Sequence, residues 1–295
     1  MNKLTSDQSN RPKKSPHVCQ ITERDYKILR YLWKWKALST EAIIRKFFPE
    51  IKPKSAFRRL QYLEADKYIK AIVIDENRND VWSIADRGFK YILPRLGELH
   101  QVGYKSENPN HDFLSTAFHL GNWLTSQPEN TQNYSEQQLR RYPVNAWPEW
   151  VPDSTTHRPD GYSISIQDGK RLIVAFETEL STKARDRYGA VAAYYDGQET
   201  VDLVFWLLDS QVTLNALKKS FEKYEMRVWG KHHFILLSDF EKQGWSVRLN
   251  HGQFAGKTIG EILNRNRLAD ASPGRRLGDV SSLLNSRRSP INTSA

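Results

Sequence analysis

The chain has 295 residues, with 44 lysines and arginines against 34 acidic residues, which gives a formal net charge of +10. This length favours two domains. The single cysteine, Cys19, excludes an intramolecular disulfide and a cysteine zinc site. The chain has no apolar run long enough to span a bilayer, and its N-terminus is polar. We therefore expect a cytoplasmic protein without a signal peptide or membrane contact.

The positive charge is unevenly distributed along the chain. Residues 1–20 carry +3, residues 21–91 carry +6, residues 92–264 carry −3 and residues 265–295 carry +4. A basic front and tail around a mildly acidic centre favour phosphate binding in one part and carboxylate chemistry in another. Basic proteins that never bind DNA are also common, so the charge alone does not decide. We expect residues 1–20 to form a basic, flexible leader.

Three amphipathic helices are predicted after the leader. Thr22 precedes the first as a capping residue, with Tyr26, Leu29, Leu32 and Trp33 on one face. The second begins near Ser39 and ends at Phe48, before Pro49. The third begins at Ser55, and its apolar face is formed by Ala56, Phe57, Leu60 and Leu63.

The next segment has the pattern of a β-hairpin followed by a helix. Two apolar runs, Tyr68–Ile74 and Val81–Ile84, flank a polar segment at 75–80, and a further helix follows Gly88. Three helices and a wing predict a winged helix-turn-helix domain over residues 21–99, whose third helix enters the DNA major groove. A winged helix used for dimerisation or protein docking is the alternative. The expected DNA-binding residues lie around the third helix and in the wing: Lys52, Lys54, Ser55, Arg58, Arg59, Gln61 and Arg78.

The rest of the chain predicts a second domain. Residues 100–110 are polar and irregular and are expected to be a linker, followed by the second domain at 111–264. Residues 265–295 lack periodicity and are rich in Ser, Asn, Gly and Arg, which predicts a basic, disordered tail. Within the second domain the patterns predict a central hairpin and a loop at 143–152. Helices are predicted at His111–Leu124, Thr182–Tyr195 and Leu214–Tyr224. Strands are predicted at Leu139–Tyr142, Val201–Leu208, Phe234–Leu237 and Trp245–Leu249.

The central hairpin brings acidic residues together. Asp168 and Gly169 form a turn signal between two β-rich runs, Tyr162–Ile166 and Arg171–Phe176. A two-residue turn there pairs positions that sum to 337, which places Asp160 opposite Glu177. The strand period of two then places Glu179 on the same face as Glu177.

Three converging carboxylates predict a site for a hard divalent cation. Carboxylate oxygens are preferred ligands of Mg²⁺ and Mn²⁺, and three of them repel one another strongly without a cation. A metal held by Asp160, Glu177 and Glu179 activates water and stabilises charge on a scissile phosphate. In the alternative interpretation, Asp160 caps a turn and the two glutamates form a solvated strand face beside Arg171 and Arg185.

The segments Pro159-Asp160-Gly161 and Glu177-Thr178-Glu179 resemble the PD-(D/E)xK restriction-endonuclease core. The final lysine of that motif is replaced here by Glu179, so Lys183 or Arg185 is expected to supply the missing cation. A winged helix followed by an Asp and Glu-x-Glu core is similar to the replication-relaxation family and its MobC-type conjugative relaxases. The resemblance implies an α/β/α nuclease domain with a mixed central sheet, and a catalytic set of Asp160, Glu177, Glu179 and Lys183 with Mg²⁺ or Mn²⁺.

The same resemblance implies a biological role. Such proteins recognise the double-stranded DNA of a plasmid or mobile-element transfer origin, nick one strand, and act with other relaxosome or coupling proteins. Two alternatives stay open: a non-catalytic DNA-binding relaxosome accessory or transcriptional regulator that keeps the nuclease scaffold, and a restriction or defence nuclease. A monomer would nick and a dimer would cut both strands, and the sequence does not fix the oligomeric state.

Other titratable groups are assigned structural roles. His232 and His233 are adjacent at a strand start, so their side chains are expected to point to opposite faces and pack there. Tyr188, Tyr194 and Tyr195 are expected to pack along a helix rather than act as nucleophiles. His111 and Asp112 open a predicted helix, where capping is favoured over an outer-shell role at the metal.

Overall fold

A computed structural model of the chain describes residues 20–74, 81–121, 131–153, 156–167, 170–222, 230–250 and 254–263. The fold is mixed α+β and contains a three-stranded antiparallel sheet and a five-stranded mixed sheet. None of the helices in these ranges has the length and apolarity needed to cross a membrane. Outside the described residues lie positions 1–19 of the predicted leader, the wing tip at 75–80 with Arg78, the turn at 168–169 and the tail.

The first three helices follow the predicted caps. Helix α1 (Glu23–Trp35) begins after Thr22, which forms a capping box with Asp25. Helix α2 (Thr40–Phe47) is capped by the Ser39 side chain. Helix α3 (Pro53–Ala65) starts two residues before the predicted Ser55, with a proline in its first turn where no backbone N–H is needed.

The predicted hairpin of the N-terminal half is present as β2 (Ile69–Ile72) and β3 (Val81–Ile84). A short strand β1 (Leu38–Ser39), which the sequence pattern did not predict, pairs with β3 and completes the sheet. Helix α4 (Asp86–Ile92) then packs closely over β2. A Cβ on Gly88 would lie 2.0 Å from the Tyr68 carbonyl oxygen, so only glycine allows this approach.

The second half begins with helix α5 (Pro109–His119), two residues earlier than predicted. Its sheet has the order β4-β5-β6-β7-β8 and is antiparallel from β4 to β6 and parallel from β6 to β8. Trp123 and Leu124, predicted to extend α5, lie outside the described residues. The remaining elements are β4 (Thr131–Ser135), α6 (Glu136–Arg141), β5 (Gly161–Gln167), β6 (Lys170–Glu179), α7 (Arg185–Gly197), β7 (Leu203–Leu208), α8 (Gln211–Phe221), β8 (His232–Leu236), α9 (Leu237–Gln243) and α10 (Ile259–Leu263).

The five-stranded sheet is buried on both faces, because alternate residues of its central strands belong to two different cores. Val174 and Phe176 of β6 pack with α5 and the N-terminal half, whereas Ala175 packs with α7 and α8. Strand β7 alternates in the same way and is buried along its whole length. Glu177 and Glu179 therefore share the α7 side of the sheet with Ala175.

The predicted register of the β5–β6 hairpin is confirmed. Gly161 pairs with Phe176 and Ile166 with Arg171, so the paired positions sum to 337. Asp160 lies one residue before β5, and its backbone N–H donates to the Phe176 carbonyl at 3.0 Å. The alternation of side chains thus brings Asp160 to the same end of the hairpin as Glu177.

Two predicted strands are wrong. Leu139–Tyr142 lies mostly in helix α6, because Ser135 and Gln138 form a capping box that starts a helix directly after β4. Trp245–Leu249 is not a strand either: Gly244–Ser246 is a 3₁₀ turn, and Arg248 forms only an isolated bridge with Thr258. The predicted loop at 143–152 contains one 3₁₀ turn, Val144–Ala146.

The segment predicted as a linker makes fixed contacts with both halves of the chain. The Gly103 carbonyl accepts hydrogen bonds from the Trp33 indole N–H of α1 and from the Gln137 amide of α6, each at 3.0 Å. Tyr104 packs on Phe89 of α4, with ring centroids 4.7 Å apart. One continuous set of buried apolar residues extends from α1 to α10, so the two halves share a core.

Candidate functional site

Backbone contacts on two sides hold Asp160. The Glu136 N–H at the start of α6 donates to the Asp160 carbonyl at 2.8 Å. The Thr178 N–H donates to Asp160 Oδ2 at 2.6 Å. The backbone of Asp160 is therefore fixed by α6 and its carboxylate by β6, and burial raises the pKa of the carboxyl to about 6.

The glycine of the Pro-Asp-Gly segment has a packing role. A Cβ on Gly161 would lie 2.5 Å from the ring of His119 and 2.8 Å from the Tyr134 carbonyl oxygen. His119 is fully buried on α5, stacks on Phe176 with centroids 4.3 Å apart, and lies within 2.9 Å of the Ser163 hydroxyl. Burial lowers the pKa of His119 to about 3, so it is neutral and packs beneath the acidic residues.

Glu177 is buried and is held by two donors. His157 Nε2 donates to Glu177 Oε1 at 2.6 Å, and the Tyr195 hydroxyl donates to the same oxygen at 2.5 Å. Burial opposes the charged form of His157, but the Glu177 carboxylate outweighs it and the pKa of His157 is raised. His157 and Glu177 therefore form an ion pair inside the site.

Glu179 pairs with Lys183, the lysine that the resemblance implies as the missing cation. Lys183 Nζ lies 2.7 Å from Glu179 Oε2 in the segment before α7, not within the helix as predicted. Burial raises the pKa of Glu179, and the charge of Glu177 adds to the shift against the opposing effect of Lys183. Arg185, the other candidate cation, instead donates to the Lys219 carbonyl at 3.2 Å.

His111 belongs to the site and does not cap α5. The cap is Asn108, whose side chain accepts from the His111 N–H, so the favoured capping role of His111 and Asp112 is wrong. The imidazole Nε2 of His111 donates to the Thr178 carbonyl at 3.0 Å and lies 3.6 Å from Asp160 Oδ2. The charge of Asp160 raises the pKa of His111 to about 9, despite the cost of burial.

A second ion network joins α1 to this site. Lys36 Nζ lies 3.0 Å from Asp112 Oδ1 and 2.6 Å from Glu136 Oε2, and the residue is buried. Burial disfavours the charged Lys36 ammonium, but these two carboxylates outweigh the burial and the pKa of Lys36 is raised. Because Glu136 also binds Asp160 through its backbone, the end of α1 supports the elements that position the acidic residues.

The three acidic residues fit a hard divalent cation by their chemistry, because all offer carboxylate oxygens. Within the ranges that the structure describes, however, no three His, Cys, Asp or Glu side chains are already grouped to hold a metal. Asp160, Glu177 and Glu179 are each compensated by a protein cation: His111, His157 and Lys183, respectively. A metal at this site would therefore compete with these three groups.

The predicted DNA-binding residues divide into two groups. Lys52, Lys54, Ser55 and Arg58 are exposed on or just before α3. Arg59 and Gln61 are half-buried, and Arg59 turns back to α1, where its guanidinium binds Asp25. Arg59 thus does not project from α3 with Arg58 as the helical pattern suggested.

The histidines of β8 and the tyrosines of α7 are buried. His232 and His233 are fully buried in β8, and the Trp206 indole N–H donates to His232 Nδ1 at 2.8 Å, which confirms their packing role. Tyr188 and Tyr194 also pack inside, but Tyr195 contacts Glu177 directly. Sequence reasoning missed His157 as a site residue, and its position three residues before Asp160 was the available signal.

Comparison of the chain with protein-family models, curated proteins and solved structures finds no match. Function is therefore argued from the geometry and chemistry of the site.

Proposed function

We propose that the chain is a divalent-metal-dependent DNA endonuclease that nicks one strand of double-stranded DNA. The observation that carries the proposal is the β5–β6 register, which places Asp160 opposite Glu177, with Glu179 on the same face of β6 and both glutamates almost fully buried. The charge of Glu177 raises the pKa of the other two carboxyls, after the larger effect of burial. Buried carboxyls with raised pKa values cluster at functional sites, and a bound divalent cation would stabilise their charged forms.

In this proposal the second half is a restriction-endonuclease-like domain. Its support is the element order: α5, β4, the short helix α6, the β5–β6 hairpin, α7 and β7. Apart from α6, which stands where the strand Leu139–Tyr142 was predicted, this is the predicted order of helix, strands, helix and strand. Asp160 lies directly before β5, and Glu177 and Glu179 lie at the end of β6.

The N-terminal half is proposed to recognise the target DNA as a winged helix-turn-helix. Helices α2 and α3 would be the helix-turn-helix and β2–β3 the wing. The exposed basic residues Lys52, Lys54 and Arg58 support α3 as the DNA-reading element. A transfer origin of a plasmid or mobile element is the proposed target, with other relaxosome or coupling proteins as further partners in the cytoplasm.

Asp160, Glu177 and Glu179 would hold Mg²⁺ or Mn²⁺, which supplies water activation and charge stabilisation at the scissile phosphate. His157 and Tyr195 orient Glu177 through hydrogen bonds to one of its oxygens. The side chain of Lys183 is more than a third exposed, and its ammonium would turn from Glu179 to a phosphate oxygen when DNA binds. His111 fixes the position of the Asp160 carboxylate from the α5 side.

Conversion of supercoiled plasmid to open circle in Mn²⁺, with and without a chelator, tests this proposal. Asp160→Asn and Glu177→Gln keep the size of the side chains and should abolish nicking while DNA binding persists. Glu199→Ala, at an exposed acidic residue, is the matched control and should nick like wild type. Undiminished nicking by both site variants would remove the assignment.

A non-catalytic DNA-binding protein that keeps this scaffold is the second candidate. The favouring observation is that His111, His157 and Lys183 already neutralise the three carboxylates without a metal. Such a protein would bind the plasmid and leave it supercoiled in every metal tested.

A further inference from the structure

The solvent-facing side of α1 carries a stripe of positive charge. Arg24, Lys27 and Arg30 are exposed and Lys34 is half-buried, at spacings of three, three and four residues. This spacing places them on one side of the helix. The only acidic residue among the solvent-facing positions of α1 is Glu23, in the first turn.

The cations of this stripe rest on aromatic rings. The Arg24 guanidinium lies 4.9 Å from the ring centroid of Phe48, and the Arg30 guanidinium lies 5.9 Å from that of Tyr26. Lys46 of α2 joins the stripe, with its ammonium 4.8 Å from the ring of Tyr31. These contacts order the side chains without neutralising them.

The stripe has no acidic counterpart. Among the residues that the structure describes, no carboxylate forms an ion pair with Arg24, Arg30 or Lys46. Burial, with the charges of Lys46 and Arg30, lowers the pKa of Lys34 to about 7. The repulsion among these cations would be relieved by an anionic partner.

Helix α1, which carries the stripe, contacts both parts of the proposed enzyme. At the start of α1, Asp25 binds Arg59 of α3. At its end, Lys34 Nζ donates to the Asn133 carbonyl of β4 at 2.6 Å. Strand β4 ends at Ser135, which pairs with Gly161 beside Asp160. The 13 residues of α1 give it a length of about 20 Å, which corresponds to about six base pairs of duplex.

We propose that the exposed cations of the basic stripe, Arg24, Lys27, Arg30 and Lys46, form a second DNA-contacting surface that binds the phosphate backbone between α3 and the β4 edge of the five-stranded sheet. This inference rests on the proposed function. A nucleic acid is favoured over a membrane because none of the large exposed apolar residues lies on α1 or α2, and membrane-surface helices insert such residues into lipid.

The test compares two triple variants in DNA binding. Lys27→Gln/Arg30→Gln/Lys46→Gln removes three charges from the stripe. Lys219→Gln/Lys242→Gln/Lys257→Gln removes three exposed charges from the other half and is the matched control. Binding to a duplex of about 30 base pairs is followed by fluorescence anisotropy over a salt series, and thermal unfolding verifies that both variants fold.

For the stripe variant, the slope of log K against log salt should become shallower by about 2 to 3, with a loss of affinity of at least about tenfold. Its hydroxyl-radical footprint should shorten by about six base pairs on one side. The control should keep the wild-type slope and footprint. A stripe variant whose slope and footprint match those of the control would overturn the inference.

Two further measurements separate this inference from the proposed function. If Lys54→Gln/Arg58→Gln loses binding while the stripe variant binds like wild type, α3 alone contacts DNA and only the inference fails. If the wild-type protein binds no duplex, the proposed function fails as well. The wild-type protein is also titrated with vesicles of equal phosphatidylserine and phosphatidylcholine. If it binds them more tightly than duplex, and the stripe variant loses this vesicle binding, the surface is a membrane contact and the inference is overturned.

Discussion

The guanidinium of Arg59 binds both carboxylate oxygens of Asp25, with Nε 3.0 Å from Oδ1 and Nη2 2.5 Å from Oδ2. Asp25 is almost fully buried, and its Oδ2 also accepts from the Thr22 N–H at 2.7 Å. One carboxylate therefore caps α1 and fixes α3 against it. The orientation of the proposed DNA-reading helix depends on this pair.

Arg59→Ala should destabilise the fold by about 3 kcal/mol, because it leaves the buried Asp25 carboxylate without its cation. Arg58→Ala, at the exposed neighbouring position, should change stability by less than about 0.5 kcal/mol. Urea unfolding of both variants measures the difference. Equal stability of the two would mean that the Asp25 pair contributes nothing.

The cost of Arg59→Ala should also depend on pH. Burial raises the pKa of Asp25, but hydrogen bonds from Arg59 and Thr22 outweigh it and hold the pKa below its ordinary value of 3.8. A lowered carboxyl pKa contributes stability that is present above pH 3.8 and is lost as the pH falls below it. The difference between wild type and variant should therefore shrink in acid, and urea titrations at neutral pH and near pH 3.5 would detect this. A gap that stays constant would contradict it.

For DNA affinity the order of the two arginines should be reversed, so that substitution of Arg58 has a larger effect than substitution of Arg59. Arg58→Ala should weaken binding by roughly 1–3 kcal/mol if the side chain contacts a base, or reduce the salt slope by about one if it contacts a phosphate. Arg59→Lys keeps a cation for Asp25 and should bind DNA nearly like wild type. Anisotropy titrations of both folded variants decide, and unchanged binding by Arg58→Ala would remove α3 as the reader.

Gly161→Ala should destabilise the chain by about 1–3 kcal/mol, because its Cβ would overlap the ring of buried His119 and the Tyr134 carbonyl. Gly197→Ala is the matched control, since a Cβ there meets no atom within 4 Å. Thermal unfolding compares the two. The neighbouring Asp160 should also move, so nicking by Gly161→Ala should fall. A Gly161 variant as stable as the control would show that His119 shifts without cost.

The parts of the fold that were predictable from the sequence rest on local signals. Thr22 and Ser39 are capping residues that mark the starts of α1 and α2, and the hairpin register follows from the two β-rich runs. Helix α6 was missed because Leu139–Tyr142 resembles a strand, although Ser135 and Gln138 supplied the capping box. The two-residue strand β1 has no periodicity of its own and exists only because β3 pairs with it.

The site was predictable only in its strand residues. Glu177 and Glu179 follow from the strand period, and Asp160 follows from the register. His111 and His157 reach the site from α5 and from a loop, so only the tertiary fold brings them to their partners. Arg59 shows the same limit: its sequence distance of 34 from Asp25 carries no local signal. The sequence therefore predicted the acidic residues and the cation Lys183, and missed the partner roles of His111 and His157.

Glu179 and Lys183 together separate an enzyme from a scaffold. If Glu179 is a metal ligand, Glu179→Gln removes the charge that offsets the cation, and Mn²⁺ affinity should fall at least about tenfold, together with nicking. Because Lys183 is more than a third exposed, its ammonium can turn to water, and stability in metal-free buffer should change by less than about 1 kcal/mol.

Lys183→Gln is the informative counterpart, because it removes the cation that competes with the metal and leaves the carboxylate in place. In an enzyme this variant should bind Mn²⁺ at least as tightly as wild type, yet nick more slowly because the phosphate loses a positive partner. Calorimetric titration of Mn²⁺ into wild type and both variants, with duplex DNA present, tests the assignment. A wild-type protein that binds no Mn²⁺ under these conditions, together with a Lys183→Gln variant that also binds none, would leave the carboxylates as ion-pair partners. The chain would then be a DNA-binding scaffold.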